Sequence, residues 1–312
     1  MRRMITGAAA LALTASLATT PVMAQDDMMA DLTDEQQQCL ADLSIFHVPK
    51  FTGFIFFELA REGVNQAASE IGAAEPVYIG PDKADVQQQV NVIQNILPQQ
   101  PDVIVIASLD VNALSPSLKE ARDNGAVVVT YDADVTPDAR DLFTNMMTFP
   151  QQARAMLDSA LVNDPEGGKA IWLAPHPTTG NFISQKAAID ELIAAEPEMY
   201  GKIEFIDTLF MEDDPELSKR VATDAMAAHP DLKYFITGSG MANPAVNQAI
   251  IDTGNKGGVF STGFALPSTM LTYLEDGTNA QYALWNPVDF GYLATMAGAQ
   301  KACGIIEGAE GE

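Results

Sequence analysis

Residues 47–72 read HVPKFTGFIFFELAREGVNQAASEIG, a buried strand that runs straight into an amphipathic helix over 56–71. At the turn between them stand Lys50 and a cluster of phenylalanines. That composition suits a pocket for a small polar ligand with an apolar face. The stretch carries no catalytic machinery and reads as a binding site.

The same beat continues on both sides. A strand over 44–48 feeds this turn, and a strand over 77–79 leads to a helix with Val86, Val90, Ile93 and Leu97 on one face. The run DVIVIA at 102–107 is almost continuously apolar, as expected where helices cover both faces of a sheet. A helix over about 113–124 ends at Gly125, placed as its cap. The next buried strand, AVVVTY at 126–131, ends in Asp132-Ala133-Asp134. Both acids fall at a strand's carboxyl end, where open α/β sheets keep their ligands.

The rhythm then restarts, with strands expected over 169–173, 202–208, 233–237, 258–263 and 280–285, each separated by a helical segment. Two similar α/β halves built on parallel sheets are predicted. Val135-Thr136-Pro137 is the candidate first crossing between them, its proline fixing backbone direction.

Arg2 and Arg3 precede an apolar, alanine-rich run over 5–19 and the small-residue pattern Val22-Met23-Ala24, so residues 1–24 read as a signal peptide and the chain as exported. The run is shorter than the ~20 residues of a membrane span, and no later segment is long and apolar enough. Residues 25–38 (QDDMMADLTDEQQQ) are polar and read as a mobile or loosely helical leader, with the fold beginning near Leu40. Cleavage after Ala24 removes two of the 17 basic residues and none of the 42 acids, for a net charge of −27. Such a surface excludes nucleic acid as a partner, favours solubility and disfavours a strongly anionic ligand. The remaining chain exceeds what one core usually holds. Its two cysteines, Cys39 and Cys303, form either one disulfide or two buried free thiols.

Enzyme signatures are scarce: there is no G-x-S-x-G, no Walker loop and no H-E-x-x-H. Gly238-Ser239-Gly240 follows a strand but lacks the third glycine of a dinucleotide loop, and His47, His176 and His229 have no metal-ligand spacing. No cofactor or metal is expected.

Five segments carry a family resemblance: VPKFTGFIFF (48–57), IGPDKADVQQQV (79–90), TYDADVTPDAR (130–140), LPSTMLTYLEDGT (266–278) and ALWNPVDFGYL (283–293). In order, and over about 43–305, the chain resembles the periplasmic substrate-binding proteins of ABC importers, in the rhamnose- and autoinducer-2-binding branch of the sugar-binding family. The resemblance implies two Rossmann-like lobes joined by three crossover strands, with ligand in the cleft between them. Lobe one would be 40–134 plus 286–312 and lobe two 138–285. That assignment puts Cys39 and Cys303 in one lobe and implies their pairing.

The resemblance also implies roles. Lys50 would donate to a ligand oxygen, against a reading as a solvated turn lysine. Phe56 and Phe57 would lie on a sugar's C–H face, with one of them free to be core. Asp132 would accept from vicinal hydroxyls. Asp134 would share that task, cap a helix or structure the hinge. Asn181, Phe182, Gly240 and Met241 are the second lobe's candidates. Trp285 and Asn286 would touch ligand at the third crossover, against a buried hinge tryptophan.

The function implied is capture of a monosaccharide or similar polyol in the periplasm by a monomer that delivers it to an inner-membrane permease. The alternative is a periplasmic sensor of the autoinducer-2 type. Two segments depart from the autoinducer-2 pattern: Pro177-Thr178-Thr179-Gly180-Asn181-Phe182 stands where that branch has an Asp-Gln pair, and Gly238-Ser239-Gly240 where it has Pro-Asp-Ala. The phenylalanine and asparagine of the second lobe fit a sugar-like ligand better than the furanosyl signal. Relatives continue beyond the helix holding Ala294 and Cys303, so a fragment with one unpaired sheet edge is expected.

Overall fold

The computed structural model describes residues 32–308; the expected signal peptide and most of the expected leader lie outside the described residues. The fold starts earlier than Leu40. Helix α1 (Asp34–Asp42) is opened by a capping box in which Thr33 and Gln36 satisfy each other's backbone N–H groups.

Strands β1 (Ile45–Val48), β2 (Val77–Tyr78), β3 (Val103–Ile106), β4 (Val127–Tyr131) and β5 (Leu142–Thr144) form one parallel sheet in the order β2-β1-β3-β4-β5. Helices α2 (Ile55–Glu70), α3 (Val86–Ile96) and α4 (Ser115–Asp123) connect them. Every residue of β1 and β3 is buried, which explains their unbroken apolar runs.

The chain then builds a second parallel sheet from β6 (Gly168–Ala174), β7 (Ile203–Phe210), β8 (Leu232–Thr237), β9 (Phe260–Ala265) and β10 (Ala283–Leu284), in the order β10-β9-β8-β6-β7. Its helices are α5 (Phe149–Asn163), α6 (Gly180–Ala195), α7 (Pro197–Tyr200), α8 (Pro215–Ala228), α9 (Ala242–Asp252) and α10 (Pro267–Glu275). A last helix, α11 (Pro287–Ala302), returns to the first sheet and packs on α2, β3, β4 and β5. Among the described residues the chain therefore passes between the sheets after Thr144 and again after Leu284, two of the three crossings that the resemblance implies.

The first crossing is not at Val135-Thr136-Pro137. That segment enters a single 3-10 turn (Pro137–Ala139), and the chain then pairs β5 with β4 before leaving the sheet. A three-residue, half-buried strand has too little apolar periodicity to announce itself. Residues 138–144 accordingly sit with the first sheet and not with the second lobe.

Two glycines set the α2–α11 crossing. A Cβ on Gly63 would lie 1.9 Å from the carbonyl oxygen of Val288, and one on Gly291 1.9 Å from that of Ala60, so only glycine permits this approach. Cys39 on α1 and Cys303 at the end of α11 are disulfide-bonded, with Cα atoms 5.8 Å apart across a sequence separation of 264. The pairing implied by the resemblance is present. One apolar cluster spans both halves, carried through the second crossing by the ring sequence Tyr131, Phe290, Trp285 and Phe264.

Candidate functional site

In each sheet the first strand lies between the second and third, so the strand order reverses beside it and a crevice opens at the carboxyl ends of the strands. The two crevices face each other. Lys50 follows β1 and Asp132 follows β4 in one lobe; Asn181 and Phe182 open α6 after β6, Asp213 follows β7 and Gly238–Gly240 follow β8 in the other. With Phe51, Phe54, Phe56, Phe57 and Trp285 they line a cleft of about 390 Å³, mouth included.

Lys50, 4% exposed, places Nζ 2.7 Å from Oδ2 of Asp132. The other carboxylate oxygen of Asp132 accepts from Nδ2 of Asn181 at 3.2 Å, a bond that joins the lobes. The Asp132 backbone is left-handed, with φ of 59°, and Ala133 N–H donates to the Tyr131 carbonyl across it at 2.6 Å. Such a three-residue turn is strained for a non-glycine residue and turns the carboxylate toward the cleft. Behind it the phenol of Tyr131 meets Nε2 of His47 at 2.8 Å. Burial, with Arg61 adding to it, lowers the His47 pKa to about 3, so this support is neutral.

The aromatic wall is a mutually packed set. Phe51 and Phe54 stack at 5.7 Å between centroids, Phe57 stands edge-on to both, and Phe56 is edge-on to Phe57. Gly53, at φ 79°, lets the chain turn between Phe51 and Phe54, and its N–H donates to Oε1 of Glu58. Trp285 closes the far side. Its ring stacks on Phe264 at 3.9 Å, and its N–H donates to the Gly238 carbonyl at 3.3 Å.

The second carboxylate, Asp213, accepts from Ser239 Oγ at 3.2 Å. Its backbone, like that of Glu212 before it, is left-handed, at φ 49°. Desolvation raises its pKa, with Asp132 adding to the rise and Lys50 and Ser239 opposing it. The cleft thus holds one cation against two carboxylates.

Of the sequence-predicted residues, Lys50, Phe56, Phe57, Asp132, Asn181, Phe182, Gly240 and Trp285 are brought together around this cleft. Three are not. Asp134 is occupied by Arg140 at 2.7 and 2.9 Å, by the Thr130 hydroxyl and by Val135 N–H, all of them residues that lie with the first sheet, so its bonds brace that lobe and not a hinge. Met241 is turned into the start of α9, its N–H bonded to Ser239 Oγ. Asn286 bonds Asp289 and lines a separate apolar groove beside Met146 and Leu284.

The sequence reading missed Phe51, Phe54, Asp213, Gly238 and Ser239 as site residues. The phenylalanines stood in the stretch already singled out. Asp213 carried a weaker signal, an acid past the end of a strand but separated from Phe210 by Met211 and Glu212, where Asp132 follows Tyr131 directly. Ser239 caps the start of α9 by accepting from Met241 and Ala242 N–H groups, which accounts for the serine between two glycines without any phosphate loop.

A family model for the periplasmic binding protein domain matches residues 45–305. A solved ABC transporter solute-binding protein from Clostridium phytofermentas with bound L-rhamnose is 27% identical, with a TM-score of 0.79 over 86% of this chain and 84% of that one. A sugar ABC transporter protein from Actinomyces odontolyticus is 34% identical, with a TM-score of 0.68 over 86% of each chain. A D-ribose/D-allose-binding protein from Pseudomonas aeruginosa is 24% identical over 63% of this chain, and the match spans 61% of that relative's length. These are binding proteins and not enzymes. With the family model running through both sheets and the returning helix, the chain belongs to the periplasmic binding protein family.

Proposed function

We propose that this protein captures a sugar ring or similar polyol in the interlobe cleft, in the periplasm, and delivers it to an inner-membrane ABC permease. One observation carries the reading: the carboxylate of Asp132 is held between a buried cation of its own lobe, Lys50, and an amide of the other lobe, Asn181, beside a wall of phenylalanine rings. A sugar presents vicinal hydroxyls, which a carboxylate accepts and an ammonium donates to, and an apolar C–H face, which aromatic rings cover. Closing the lobes exchanges water for these partners, so few polar groups are desolvated without replacement. Domain closure around a ligand is the general behaviour of periplasmic binding proteins. The sugar-binding relatives and the signal-peptide pattern of residues 1–24 support the same reading.

The test is a thermal-shift screen of the purified chain with pentoses, hexoses, deoxyhexoses and polyols. A ligand at about 100 times its Kd should add roughly 2.7 kcal/mol of stability. A shift with one sugar, lost in Asp132→Ala, is the expected result. A chain that melts cooperatively and responds to none of them removes the proposal.

A further inference from the structure

Asp213 lines two cavities. The second is an interlobe chamber of about 780 Å³, mouth included, with no phenylalanine in its lining, against about 390 Å³ for the first. Its walls come from both lobes: Gln87 at the start of α3 and Leu109 after β3 from one, Pro175 and Thr178 after β6 and Glu212 after β7 from the other. The lining mixes apolar surface (Leu109, Pro175) with an amide, two threonine hydroxyls, carboxylates and the His176 imidazole, and no lysine or arginine is among it.

That combination suits a neutral ring with hydroxyls on its edge and an apolar face. It disfavours phosphate, sulfate or carboxylate substituents, since three carboxylates, Asp85, Glu212 and Asp213, face a single imidazole, His176, and no lysine or arginine. Asp213 is placed to serve both chambers: Ser239 occupies one carboxylate oxygen at 3.2 Å, and a carboxylate has further lone-pair directions for hydroxyl donors.

Resting on the sugar-binding reading above, we propose that the two cavities form one elongated site whose ligand is a neutral disaccharide, with one ring between Asp132 and the phenylalanines and the second ring beyond Asp213. Calorimetric titration of the full chain with lactose, melibiose, maltose, cellobiose and rutinose, each beside its constituent monosaccharides, tests it. The expected result is a disaccharide that binds at least about tenfold more tightly than either of its monosaccharides. Thr178→Trp and Gln87→Trp narrow the second chamber from opposite lobes, and either should bring that ratio down to about one. A monosaccharide that binds with no disaccharide exceeding it overturns the elongated site and leaves the sugar-binding reading standing. A ratio that survives both tryptophan variants overturns it as well. Absence of binding by every sugar overturns both.

Discussion

The first sheet (β2-β1-β3-β4-β5) and the second (β10-β9-β8-β6-β7) place their strands in the same chain order, yet they raise different walls on the cleft. The first lobe contributes the cation, the aromatic cluster and a carboxylate already paired with Lys50 at 2.7 Å. The second contributes glycine backbone, Ser239, Asn181 and a carboxylate without a cation of its own. Asp132 and Asp213 sharpen the contrast, because both follow a strand and both have a left-handed backbone, at φ 59° and 49°. Neighbours alone separate them. A shared topology therefore supplies equivalent positions, and the side chains packed around each position decide its charge and its role.

The sharpest way to break this comparison is to exchange the fates of the two acids. Asp132→Ala strands the Lys50 ammonium in a site only 4% exposed to solvent, with Asp213 left as its partial counter-charge. A loss of about 4 kcal/mol of stability in urea denaturation, and of at least about 100-fold in sugar affinity by calorimetry, is expected. A variant of undiminished stability and affinity would mean that the pair does not organise the first lobe.

A smaller effect follows from the staple. The Cys39–Cys303 disulfide ties the two ends of the first lobe together, and the second lobe holds no cysteine. Cys39→Ala/Cys303→Ala should cost about 3 kcal/mol of global stability. Hydrogen exchange should speed up in α1, α2 and α11 far more than in β6 and β8. Uniform acceleration across both sheets would erase this difference between the lobes.

Asp213→Asn should cost less than Asp132→Ala, because no buried cation is abandoned. Stability at pH 7 should stay within about 1 kcal/mol of the parent, while sugar affinity falls about tenfold through loss of a charged acceptor. Equal destabilisation by the two variants would show that the acids are equivalent after all.

The smallest expected effect is in the pH profile. Because the folded pKa of Asp213 is raised above its unfolded value of 3.8, the folded state binds the proton more tightly. This group's contribution therefore makes stability fall as pH rises from 3.8 through the folded pKa. A sugar that donates to the carboxylate favours its ionised form, so affinity should weaken as pH falls through that same window. Asp213→Asn should flatten both slopes, measured by denaturation and by titration between pH 4 and about 7.

How much of this was legible depends on how local the cause is. Lys50 and Asp132 could be picked out because each follows a buried parallel strand, and the ends of the runs IFHV and VVVTY are visible in the sequence. Asp213 follows β7, in which only Ile203 is buried, so no buried run marks its end, and its hydroxyl partner lies 26 residues further on. The strand β5 was invisible for a related reason: three half-buried residues become a strand only because β4 offers them an edge. The capping box at Thr33–Gln36 was readable, but a polar composition hid it.

The sequence by itself determined two parallel α/β halves, an acidic chain and a first lobe that presents Lys50, Asp132 and phenylalanines at strand ends. These follow from periodicity and residue chemistry, which act over a few residues. Tertiary structure alone decided that Asn181 reaches Asp132, that Asp134 is claimed by Arg140 and not by the cleft, and that Asp213 stands between two chambers. Each depends on the position of one lobe or loop against another to within an ångström or so. Hydrogen bonds and charge pairs are sensitive at that scale, and spacing along the chain does not encode it.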